Sequence, residues 1–572
     1  VSRSRLAVAL AMAGSLALAG CGGGGGEQGT AGPAGEPSAG APAALKAFDV
    51  NVVPRDRVKD GGTLRWGIDE YPTQWNINHV DGNLANVRSV VAGMLPSPFV
   101  SDEKGVISGN ADYLTDGRVT ATDPKQVVTL TLNPKGRWSN GEAITWQDYA
   151  AQWKALNGAN PDFRVASTTG YQDIESVAKG KDDYEVVITF KNDFGDWQSL
   201  FAPLYPKTTN TSPETFNTSW LNKIPVTAGP FRFQGFDQTA KTITIVRDDA
   251  WWGEKAKLDQ VIYRSMESDS LVGAFTNGEI DVFDIGPSAP DYARAKSTQG
   301  SLVRQAAGPD FRHITMNGES AVLSDVNVRR AITMAINRQA IAQSDLQGLD
   351  WPITLLNNHF FMNTQEGYQD NAGALGTYDP EKAKAALDAA GWKLSGQTRM
   401  KDGKPLNLKF VMPSGLQLTK SEGELIQNML AQIGVQVTLQ TVPSDDFFTK
   451  HIIPGNYDMT AFSYIGTPFP VSSGYGIFAN ASTDSKGERN WNANLGRIGS
   501  PEIDAAMQKA TAELDLIQAR AATNAADKLI WEAVNVVPLY QRPQNVAVRQ
   551  TLANLGARGF YDLKYQDIGF TG

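Results

Sequence analysis

Apolar and polar residues alternate most cleanly in mid-chain, over residues 226–264. Residues 231–236, and the Thr-Ile-Thr-Ile run within 241–247, have the period of two that a half-buried strand requires. Gln238, Thr239 and Ala240 form the turn between them, Asp248 and Asp249 break the second strand, and Val261 begins a third at 261–264. Gly229 and Pro230 open the unit with a turn. A compact antiparallel unit is therefore expected, a core that the chain leaves and revisits. The period of two recurs at 127–132, 184–190, 311–317, 406–411, 435–442 and 536–540, and Gly61 and Gly62 turn into a strand near Leu64. Helical spacing fits 86–95, 326–342, 422–433, 501–514 and 519–534. Start signals sharpen some of these: Thr145 with Asp148 three residues on, Asp325, and Asp379 followed by Pro380. Helices alternating with strands predict an α/β fold.

The N-terminus follows another pattern. Arg3 and Arg5 precede an apolar run at 6–18, too short to span a bilayer as a mature helix. The run ends in Leu18-Ala19-Gly20-Cys21, which resembles the lipobox of bacterial lipoproteins. That resemblance implies a signal peptide over 1–20, cleavage before Cys21 and diacylation of its sulfur. Cys21 is the only cysteine, so no disulfide forms within the chain. Residues 21–56, rich in Gly, Ala, Pro and Ser, lack periodicity and are expected to form a flexible tether. Gly24, Gly26 and Gly29 spell a formal GxGxxG, but no strand precedes it and no helix follows, so the dinucleotide reading fails.

The 572 residues exceed what one core holds, and the length points to roughly three or four domains. A net charge of −9 gives no footprint for nucleic acid. The histidines, His79, His313, His359 and His451, are scattered without metal-ligand spacing. No nucleophile elbow or phosphate-binding loop is present. An enzyme is not expected, nor any cofactor or metal. A glycosidase built on paired carboxylates is the one enzymatic alternative left open.

Several segments, in order, resemble the family 5 extracellular solute-binding proteins, the peptide-binding components of ABC importers. They include Gly61-Gly62-Thr63-Leu64, Gly136-Arg137-Trp138-Ser139-Asn140-Gly141, Thr227-Ala228-Gly229-Pro230-Phe231 and Gly278-Glu279-Ile280-Asp281. Residues 325–338, 378–392, 427–437, 500–504 and 529–540 continue the likeness, which covers nearly all of 60–545. The resemblance implies a three-lobed, periplasmic-binding-protein-like α/β fold. Lobe I comprises 57–100, 226–316 and 537–572, lobe II is an insertion at 101–225, and lobe III spans 317–536, with hinges near Asn317 and Val536. It further implies a monomer on the extracytoplasmic face of the membrane, lipid-anchored through Cys21. Such a protein captures oligopeptides by lobe closure and delivers them to a permease with a separate ATPase.

In peptide-binding members, a carboxylate in a segment after a strand pairs with the peptide's free amine. Here the matching segment is 464–470, and the carboxylate position falls on Thr467. A neutral hydroxyl accepts a hydrogen bond from an ammonium but does not compensate its charge, and an unpaired buried ammonium is costly. Either another carboxylate acts, or the ligand presents no free amine there. Backbone groups of Ser463, Tyr464, Ile465, Gly466 and Thr467 are expected to pair with an extended ligand as a strand would. Trp75, Asn76, Asn78, His79, Tyr464, Phe469 and Trp491 are the candidates to shape its side-chain pockets. The Thr467 departure and the tryptophan content leave an oligosaccharide or another non-peptide solute open, as well as a sensing receptor without transport.

Overall fold

The computed structural model describes residues 44–483, 489–491 and 493–572. Residues 1–43, and with them Cys21 and the expected signal peptide, lie outside the described residues.

One mixed sheet of ten strands organises the fold. In chain order these are β1 (Thr63–Ile68), β2 (Phe231–Asp237), β3 (Thr242–Arg247), β4 (Gln260–Ser265), β5 (Val282–Asp284), β6 (Ser301–Met316), β7 (Asn407–Pro413), β8 (Gln436–Val442), β9 (Met459–Ile465) and β10 (Val536–Arg549). Their spatial order is β8-β7-β9-β6-β10-β5-β1-β4-β3-β2. The mid-chain unit β2-β3-β4 is antiparallel. It forms one wing of the sheet and joins the rest through a parallel pairing of β4 with β1. Ile243, Ile245, Val261 and Tyr263 are its buried positions, alternating as the sequence pattern requires.

The segment expected as lobe II builds its own four-stranded antiparallel sheet, in the order Leu114–Ala121, Val127–Leu132, Glu185–Phe190, Ile174–Lys179. Thr145 and Asp148 close a full capping box on the Trp146–Leu156 helix, whose Tyr149 and Leu156 are buried. The core of this segment is continuous with that under β1 to β4, whereas β7, β8 and the helices after β6 pack around a second core.

The two halves of the large sheet share β6 and β10. Residues 301–307 of β6 pair with 549–543 of β10, the register slips, and pairing resumes from Phe311 opposite Gln541 to Thr315 opposite Val536. Pro309 and Pro543 flank the slip, where a missing N–H is tolerated. Gly308 fits because a β-carbon there would lie 2.6 Å from Asp310 Oδ1. The interruption in the shared strands thus falls at residues 308–310, whereas Asn317 and Val536 sit where the lobe III half-sheet ends.

Two expectations are corrected. The folded body begins before residue 57: Asp49–Val50 is a strand paired with Gly556 and Ala557, and Arg55–Arg57 is a helical turn. Asp49 accepts the Gln305 N–H at 2.9 Å and pairs with Arg304 and Lys46, so side-chain contacts hold a segment too short for periodicity to mark. The single helix expected over 326–342 is two helices, Val326–Ala335 and Arg338–Asp345. Asn337 caps the second by accepting the Ala340 N–H at 3.0 Å, and Ile336, buried between them, carries the apolar spacing across the break.

Candidate ligand-binding cleft

The slip in β6 adjoins the segment singled out at 463–469. Asp310 is in register with Ile465, and Pro309 C=O accepts the Gly466 N–H at 2.7 Å. On its other side β9 meets β7 only at Met459. From Ser463 to Ile465 that edge of β9 has no strand beside it among the described residues, and Ile465 is 67% exposed.

Ser463, Tyr464, Gly466, Thr467 and Phe469 are each half-buried. The Tyr464 ring stacks on His313 at 4.3 Å between centroids and meets Phe462 edge-on. Its hydroxyl is buried without a partner, and burial pushes the phenol's pKa well up. Thr467 turns its hydroxyl inward to accept the Phe469 N–H at 3.1 Å, and its carbonyl accepts from Gln365 Nε2 at 3.2 Å. The hydroxyl at the expected amine position is therefore engaged in a local turn that leads into the Pro470–Phe478 helix.

Trp75, Asn76 and His79 lie elsewhere, in the core shared by β1–β4 and the inserted segment. Trp75 is fully buried and stacks on Phe236 at 5.3 Å, and its carbonyl accepts the Tyr205 hydroxyl at 2.8 Å. Asn76, also fully buried, donates to the Phe216 carbonyl and accepts the Asn78 N–H. Half-buried Asn78 presents its carbonyl to the Ala166 N–H. His79 Nδ1 accepts the Asp81 N–H at 3.1 Å, and burial lowers the ring's pKa. This loop stitches the inserted segment to lobe I, and the structure does not bring it together with β9. Trp491 forms a third locality. Its Nε1 donates to Glu319 Oε1 at 2.8 Å, and the Arg489 guanidinium lies over its ring at 4.7 Å. It borders a recess of about 140 Å³ that Ile453 and Arg497 also line.

Charged groups missed in the sequence surround the slip. Asp310 pairs with Arg542 of β10. Asp284 ends β5, and Asp69 follows β1. Both strands are parallel, so these carboxylates sit at carboxyl ends of strands, where α/β sheets bind ligands. That position was a usable signal. Behind β9, Arg312 forms a two-pronged ion pair with Glu422, at 2.7 Å (Nε) and 2.5 Å (Nη2), and donates to Thr419 at 2.8 Å. Asp345 lies beside them and accepts the Tyr540 hydroxyl at 3.1 Å. Burial, and then Glu422, push the Asp345 pKa up to about 9.

The inserted segment also reaches lobe III. Asp196 accepts the Ser472 N–H at 3.2 Å and the Ser472 hydroxyl, at the start of the Pro470–Phe478 helix. Burial raises the Asp196 pKa, against these two bonds. Gly195 N–H donates to the Thr511 carbonyl at 2.6 Å.

Residues 113–486 match the family described as bacterial extracellular solute-binding proteins, family 5 middle. The oligopeptide-binding protein OppA of Mycobacterium tuberculosis is 39% identical over 526 residues, covering 91% of this chain and 87% of its own. Among solved structures, the periplasmic EDTA-binding protein EppA superposes with a TM-score of 0.83 and 25% identity, over 92% of this chain and 99% of its own. The oligopeptide-binding protein AppA of Bacillus subtilis, in complex with a nonapeptide, superposes with a TM-score of 0.73 and 20% identity, over 90% and 100%.

Proposed function

Since the chain belongs to the family 5 bacterial extracellular solute-binding proteins, we propose that it captures peptides as the substrate-binding component of an ABC importer. The observation that supports this most is the open edge of β9 beside the slip in β6. An extended peptide adds to such an edge through main-chain hydrogen bonds, and this mode accepts many sequences. Ser463, Tyr464, Ile465, Gly466 and Thr467 supply the edge, and Phe469 lies beyond it. Lobe III moves against lobe I by bending at residues 308–310 and at Arg542 and Pro543. The ligand favours closure only by its differential affinity for the closed form. The closed form then docks on a permease whose ATPase is a separate chain. Acylated Cys21 holds the protein on the extracytoplasmic face of the membrane, where the segment after it keeps the binding body near the permease. No chemistry on the solute is required.

The likeness to an EDTA-binding protein favours a second reading, a non-peptide polycarboxylate as solute. Thermal unfolding of the purified protein separates the two. Peptides of two to eight residues, their N-acetylated forms, oligosaccharides and EDTA are added in turn. A peptide at about a hundred times its Kd adds roughly 2.7 kcal/mol to the folded state. Stabilisation by peptides supports the first reading; silence with every peptide and a shift with EDTA or a saccharide overturns it.

A further inference from the structure

Two side chains of opposite charge in lobe I have no counter-ion. Arg88, on the Ala85–Val91 helix, is open to solvent and yet surrounded by protein. Burial lowers its pKa, Arg558 lowers it further, and Asp562 and Tyr205 compensate only in part. No ion pair or side-chain hydrogen bond holds its guanidinium among the described residues. Asp284, opposite Val546 of β10, is likewise solvent-accessible in a crowded setting. Its carboxylate accepts one backbone N–H, from Gly286 at 2.8 Å. Burial pushes its pKa up to about 6; Arg542 opposes this, and Asp310 and Asp69 add to it. Arg542 is already committed to Asp310.

Crowding without closure to water is the mark of a concave wall. The two residues belong to one region of lobe I. Asn86, at the start of the Arg88 helix, donates to Asp69 at 2.9 Å, and Asp69 and Asp284 follow neighbouring parallel strands. A crowded charge without a partner is costly unless something else pairs with it. A solute bearing both charges satisfies both residues at once, and a charge-assisted bond is about twice as strong as a neutral one.

We infer that Arg88 and Asp284 determine specificity in the proposed cleft, Arg88 by binding a carboxylate of the solute and Asp284 by binding its cationic group. The cleft then selects solutes that carry both charges, such as short peptides with free ends. This rests on the peptide reading above, and it supplies a carboxylate in place of the one that Thr467 lacks.

The test is calorimetric binding of alanine peptides of three to six residues, in free, N-acetylated and C-amidated forms, to the purified protein, Arg88→Gln and Asp284→Asn. The unmodified protein is expected to prefer the free peptide at least tenfold over either capped form. Arg88→Gln reduces the preference over the amide to within twofold and keeps the preference over the acetylated form; Asp284→Asn does the reverse. The selective loss of one preference separates this from a folding defect, as does an unchanged circular dichroism spectrum. Binding by the unmodified protein with no preference, or with preferences that both variants retain, overturns the inference and leaves the peptide reading standing. Failure of the unmodified protein to bind any peptide overturns both.

Discussion

Glu422→Gln lowers the unfolding free energy by about 3–5 kcal/mol, the cost of leaving one partner of a buried ion pair uncompensated. Arg312 and Glu422 are 5% and 0% exposed in their side chains, so water cannot replace the lost charge. Asp345→Asn is expected to cost less than about 1 kcal/mol at pH 7, because it replaces a neutral carboxyl with a neutral amide. The sign of its pH dependence follows from the raised pKa. Stability from a carboxyl that moves from 3.8 to about 9 on folding is fully present below the lower value and is lost as pH rises through the upper one. Asp345→Asn removes that slope. When Glu422 is replaced, the like charge that keeps Asp345 neutral goes with it, and Asp345 ionises beside Arg312. The double variant therefore falls further than the sum of the singles, as coupled neighbours do. Chemical denaturation at pH 5, 7 and 9 measures all three; a Glu422→Gln loss below about 1 kcal/mol would show that the pair carries no such weight.

Gly195→Ala reduces solute affinity at least tenfold and leaves the melting temperature of the unliganded protein nearly unchanged. A β-carbon at Gly195 would lie 2.3 Å from the Glu513 carbonyl oxygen and 3.2 Å from that of Thr511. Both neighbours are backbone atoms at the end of the Pro501–Ala512 helix and cannot rotate away, so the inserted segment must draw back from lobe III. The contact joins surfaces, not cores, which is why stability is spared. If closure supports binding, a tenfold loss corresponds to about 1.4 kcal/mol removed from the closed form. Small-angle scattering should show a larger radius of gyration for the variant with solute present than for the unmodified protein. Affinity within twofold of the original would mean that this contact plays no part in closure.

Periodicity found most strands and helices because burial on one face imposes it. It found β6 and β10 only in part, at 311–317 and 536–540. Their remaining lengths carry Gly308, Pro309 and Pro543 at the crossing, where bends replace regular alternation. The helical spacing of Ile426, Met429 and Leu430 points back one turn to Glu422, so its burial was legible. Its partner, Arg312, was not, since 110 residues separate them. Tyr464 and its neighbours were found through a motif, and the structure sets them on a strand edge. Trp75 and His79 were chosen for residue type, and aromatic rings serve a core as readily as a pocket. Arg88 gave no sign: an arginine on a helix face is usually solvated, and only the surrounding fold shows that this one is crowded and unpaired.

The shared strands also bear on how the molecule melts. Since β6 and β10 supply inner strands to both half-sheets, neither half can unfold and leave the other intact. Losing β7 to β9 bares the upper lengths of β6 and β10, and losing β1 to β5 bares the lower. The chain is long enough for several independent melting units, yet its two halves are expected to come apart in one calorimetric transition, with the van't Hoff enthalpy approaching the measured heat.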